Sequence, residues 1–143
     1  MADKIANIAT LVRLQGWTVD EHRRELGIML VREGDLIAEG EAMDRQLRYE
    51  QKVAAEDPTY AGHAYAAFAE NHRQRRAQWE AVLAALRAEI DAARDRLADA
   101  YRELKVLEEV QEEWLIRRSV AEARVEQAEF DEIAQNQYRR NEN

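Results

Sequence analysis

Glu56-Asp57-Pro58-Thr59 holds the only proline in a chain of 143 residues. Proline has no N–H and its ring clashes with the preceding helical turn, so a helix does not run through it. It fits the first position of a new helix, with Asp57 as the N-cap. The chain therefore reads as two helices, about 3–56 and 58–138, joined by a tight turn at 56–59.

Punctuation elsewhere is weak. Gly16, Gly27, Gly34 and Gly40 each cost about 1 kcal/mol against alanine inside a helix, which predicts a softer first helix, frayed before Gly16. From Asn136 the chain turns polar (NQYRRNEN), and disorder is expected over 139–143. The whole of 1–143 reads as a single coiled-coil domain.

Composition agrees. Five glycines and one proline cannot supply the turns that a β domain needs every ~8–12 residues. A 35% share of charged residues against 46% apolar, much of it alanine, argues against a thick globular core and fits long helices. The absence of cysteine removes disulfides, thiolate metal sites and a cysteine nucleophile, and suits a cytoplasmic protein. No run approaches the ~18 apolar residues of a membrane span, and MADKIANIAT lacks a signal-peptide apolar stretch. A net charge of −8 speaks against nucleic acid as a partner.

Periodicity separates a coiled coil from a globular bundle. In the first segment a 3–4 alternation runs through Val12, Gln15, Val19, His22, Leu26, Met29, Glu33, Leu36, Gly40, Met43, Leu47, Glu50 and Ala54. In the second it runs from Ile90 through Ala93, Leu97, Ala100, Leu104, Leu107, Gln111, Trp114, Arg118, Ala121 and Val125 to Ala128. Upstream it reads Tyr65, Phe68, His72, Arg75, Trp79, Val82 and Leu86, and the second consecutive step of four, to Ile90, predicts a stutter. Narrow heptad seams of this kind mark coiled coils.

At 1.5 Å per residue the helices would reach about 80 and about 120 Å. Folded antiparallel at Pro58, residue i faces roughly residue 115 − i, with Leu26 near Ile90 and Met43 near His72. The first helix runs out near Glu112, so Trp114 to Tyr138 should overhang. The fold expected is all-α, a long antiparallel two-helix coiled-coil hairpin with a C-terminal helical overhang.

Catalytic chemistry finds little support. There is no glycine-rich nucleotide loop and no H-E-x-x-H. None of His22, His63 and His72 follows a glutamate at i−3, as a di-iron bundle requires. No catalytic, cofactor or metal residue is expected. Charged runs such as 72–76 and 108–113 read as solvated faces, supported by i,i+4 pairs Glu41–Arg45, Asp44–Arg48 and Glu113–Arg117.

Aromatic residues leave two readings open. Tyr65, Phe68, His72 and Trp79 share a face that either fills the seam or, if Ala61, Ala64 and Ala67 take the seam, presents interface anchors to solvent. Trp114 either caps the paired region or begins a partner face with Leu115, Val125 and Phe130.

The tail Val125-Glu126-Gln127-Ala128-Glu129-Phe130-Asp131-Glu132-Ile133-Ala134-Gln135 resembles the E-Q-x-x-hydrophobic-D-E-hydrophobic-A-Q ending of the FliJ family of flagellar type III export proteins. Tyr65-Ala-Ala-Phe68 is similar to a Y-x-x-F of that family, and Leu26-Gly27-x-Met29 resembles its first helix, so that the resemblance spans about 8–136. It implies a non-enzymatic stalk that inserts into the ring of the flagellar export ATPase, touches the export gate protein and escorts export chaperones. Such a protein is cytoplasmic, at the cytoplasmic face of the basal body, and meets the membrane only through its partners. Carried over by motif, the gate surface would comprise Met43, Gln46, Tyr49, Phe68, His72 and Trp79, and the ATPase surface Trp114, Arg117, Arg118, Val125, Phe130 and Ile133. Arg75 departs from the small residue of the family's gate patch. Self-association stays open, and the alternatives are an injectisome type III secretion stalk or a generic structural coiled-coil tether.

Overall fold

The computed structural model describes residues 1–57 and 61–143. Helix α1 spans Ala2–Glu56 and helix α2 spans Ala61–Glu142, with 55 and 82 residues. The expected turn at Pro58, and the start of the second helix there, lie outside the described residues. Among those described there is no strand and no positive φ.

Continuity of α1 follows from its side chains. Thr10 and Thr18 return their hydroxyls to the carbonyls of Ala6 and Leu14, at 3.1 and 3.2 Å, which satisfies them without breaking the helix. Asp3 sits in the first turn, where the helix dipole favours an anion. No break or fraying occurs at Gly16; the four glycines all lie within the helix. Helix α2 likewise runs to Glu142, past the expected end near Tyr138, so 139–142 are helical. Nothing in NQYRRNEN breaks a helix, and Arg139 and Arg140 lie in the last turn, where cations oppose the dipole.

The helices pack antiparallel, which completes the all-α two-helix hairpin. The contacts form two units. In the unit of Met1–Val19 with Asp99–Asn143, Gln15 donates through Nε2 to the carbonyl of Ala100 at 2.9 Å and to Glu103 at 3.3 Å. Val19 and Ala100 are its buried residues. A polar Gln15 in the seam favours this register, because it brings the Glu103 carboxylate within reach of the amide as a second acceptor.

The unit Asp20–Ala98 carries the larger core, with Met43, Leu83, Leu86, Ile90 and Ala93 buried. Across its seam Trp79 meets Leu36, Arg87 meets Glu33 at 3.3 Å, and Arg76 meets Asp44. Partner numbers here add to between 115 and 120 (36 with 79, 44 with 76), close to the antiparallel register that the turn position implies.

On α1 every seam position expected from Val12 to Ala54 is buried or half-buried. On α2 the seam differs upstream of Leu86. Arg75 and Val82 are exposed, and Arg76 and Leu83 take their places. The row Ala69, His72, Arg76, Trp79, Leu83, Leu86, Ile90 keeps an unbroken 3–4 alternation, so there is no stutter. Arg76 can occupy a seam because its aliphatic stem packs along it while the guanidinium emerges to Asp44. The same pairing undoes one expected helix pair: Asp44 joins Arg76 and not Arg48. No Glu41–Arg45 bridge forms, whereas Glu113–Arg117 does, at 2.5 Å.

Candidate functional site

Two surfaces carry the candidate residues. In the unit Asp20–Ala98 the aromatic row of α2 turns into the seam. Met43 is buried and His72 is 8% exposed. Phe68, half-buried, stacks on His72 one turn on, ring centroids 5.8 Å apart and 27° from parallel. The indole Nε1–H of Trp79 donates to the Leu36 carbonyl at 2.6 Å, and the Arg76 guanidinium lies over its ring at 4.9 Å. Opposite Trp79 sits Gly40, where a Cβ would come within 2.8 Å of ring atoms Cε2 and Cη2. The seam-filling reading of these aromatics therefore holds, and Phe68 and Trp79 are not free-standing anchors.

The exposed candidate residues of this region lie on α1. Tyr49 is 64% exposed and Gln46 is exposed beside it. Gln51 donates to the Tyr65 hydroxyl at 3.3 Å, tying the two helices at that level. Met43, His72 and Trp79 shape this surface from beneath; Gln46 and Tyr49 lie upon it.

In the unit containing the termini, Trp114 closes the paired region. Lys4 Nζ approaches its ring at 4.9 Å and the Arg117 guanidinium at 5.2 Å, so cations from both helices cover the indole. Trp114 is thus a cap, and the unpaired arm starts later than expected. Met1 shares an open groove with Arg118, Ala121, Val125 and Glu129. From 122 to 142 every residue is helical and exposed, including Val125, Phe130 and Ile133. Arg117 is engaged by Glu113, and Arg118 approaches Glu122 at 3.8 Å.

Sequence reasoning missed Trp17, which is exposed on α1, and the exposed pair Ile116 and Val120 on α2. The available signal was their position off the seam, since Trp17 lies two residues past Gln15. Among the described residues no three His, Asp or Glu side chains gather as a metal site, and no helix is long and apolar enough to cross a membrane.

The fold and these surfaces define a class: a coiled-coil hairpin protein with a thin internal seam and an exposed helical arm. The family model for flagellar FliJ proteins matches residues 6–143, nearly the whole chain. The chain belongs to the FliJ family, and is a structural component of the flagellar protein export apparatus. No curated protein and no solved structure matches it significantly.

Proposed function

We propose that this chain is a stalk that couples the flagellar export ATPase to the export gate, acting by docking and without bond chemistry, at the cytoplasmic face of the basal body. The observation that carries the reading is the arm at 122–142, helical and exposed throughout, with Val125, Phe130 and Ile133 each more than half exposed. The arm and its root would enter the ATPase ring. Val125, Phe130 and Ile133 would supply apolar contact, with Trp114, Arg117 and Arg118 setting the geometry at the base.

The gate surface would be the exposed α1 strip at Gln46 and Tyr49, with Met43, Phe68, His72 and Trp79 holding it in shape. Export chaperones would be a third class of partner, delivered to the same apparatus. Mixing the full chain with the flagellar export ATPase tests the reading. Stimulated hydrolysis and ring assembly are expected, and unchanged activity and assembly would refute it.

A further inference from the structure

Within the unit Asp20–Ala98, α1 carries a second heptad row. Its first row (Leu26, Met29, Glu33, Leu36, Gly40, Met43 and Leu47) faces α2. Displaced by two residues runs Ile28, Val31, Asp35, Ala38, Ala42, Arg45 and Tyr49, in an unbroken 3–4 alternation, and every one of these is exposed. Ile28 is 64% and Val31 68% exposed, as much as Tyr49. A solvated helix face normally carries polar residues at such positions. Asp35 and Arg45 have no ion-pair partner among the described residues, although their neighbours Glu33 and Asp44 are both engaged across the seam.

The row is complementary to its own reverse. About a centre at residue 40, small Ala38 mirrors Ala42, acidic Asp35 mirrors basic Arg45, and apolar Val31 mirrors Tyr49. Ile28 mirrors Lys52, whose aliphatic stem can cover it. We propose that this face docks a second copy of the chain, antiparallel, about a two-fold axis near residue 40. A two-fold interface requires that if i meets j, then j meets i; here Asp35 meets Arg45 twice over, and small Ala38 meets small Ala42 twice at the centre. A parallel pair would set Asp35 on Asp35 and Arg45 on Arg45, like on like. Alanines at the centre allow the helix axes to approach to about 8 Å. Tyr49 would serve both this interface and the proposed gate surface, so the dimer would hide the latter. The self-pairing itself does not depend on that reading.

Sedimentation of the full chain from micromolar to millimolar concentration tests this. A reversible dimer is expected. Asp35→Arg or Arg45→Asp alone should weaken it at least about tenfold, because like charges then face each other across the axis. The two reversals together should restore it, and circular dichroism should be unchanged because both side chains are exposed. Under oxidation, a mixture of Ala38→Cys and Ala42→Cys chains should cross-link to each other, and neither to itself. A monomer throughout the range, a dimer indifferent to the single reversals, or no rescue by the double reversal would overturn the proposal.

Discussion

The indole of Trp79 reaches across the seam to the Leu36 carbonyl at 2.6 Å, and it does so over Gly40, which has no side chain to stop it. A glycine in the middle of a helix is thereby explained by packing: its backbone forms the floor on which a large ring lies.

Gly40→Ala should consequently lower stability, although alanine is the better helix former by about 1 kcal/mol. Overpacking of this kind costs about 1–3 kcal/mol, so a net loss is expected. Gly34→Ala is the control. A Cβ there meets nothing within 4 Å, so that substitution should stabilise by roughly 0.5–1 kcal/mol. Opposite shifts in Tm by circular dichroism check the pair, and a stabilised Gly40→Ala would refute the packing.

Arg76 stands in the seam through its stem and meets Asp44 through its head. Their side chains are 33% and 45% exposed, so solvent screens the pair and its coupling should be below about 1 kcal/mol. A double-mutant cycle of Asp44→Ala and Arg76→Ala measures it, and the coupling should shrink further in high salt. Arg76→Ala alone should cost more than the coupling, since it also strips the stem from beside Trp79.

His22 occupies a seam position with its Nδ1 buried and, among the described residues, without a hydrogen-bond partner; the nearest carboxylate, Glu25, is 3.7 Å away. An unsatisfied buried nitrogen costs about 1–3 kcal/mol. His22→Leu keeps the volume, removes the nitrogen and should raise stability by about 1 kcal/mol. A fall in Tm would show that the imidazole is satisfied in solution.

Much of this architecture was legible. The α1 seam from Val12 to Ala54 and the α2 seam from Ile90 to Trp114 follow from the 3–4 alternation. Its apolar members set a phase that carries Gln15, His22, Glu33, Gly40, Glu50 and Gln111 along with them. Ambiguity arose where neighbours of one class compete, Arg75 with Arg76 and Val82 with Leu83. There the unbroken 3–4 alternation from Ala69 to Ile90 was the available signal for Arg76 and Leu83. What α2 alone does not contain is the room that Gly40 of α1 makes for the Trp79 ring. The length of the arm was misjudged for a related reason. Lys4 reaches to Trp114 and Met1 lies in a groove with Ala121, contacts made by the first turn of α1 after its apolar pattern has faded.

Removing residues 122–143 should leave the paired helices as stable as before, because every residue in that stretch is exposed. Changes confined to such positions move stability by about 0.5 kcal/mol or less. If the arm enters the ATPase ring, the truncated chain should lose its stimulation of hydrolysis while keeping its Tm. Phe130→Ala should remove a large share of the same effect, since a ring 62% exposed when free has much area to bury on binding. Tyr49→Ala should leave stimulation intact and weaken gate binding, because Tyr49 lies in the unit Asp20–Ala98 and Phe130 in the other. Two measurements, hydrolysis rate and gate affinity, then separate the surfaces. Loss of both readouts from either substitution would refute the division, and full stimulation by the truncated chain would take the arm out of the ATPase interface.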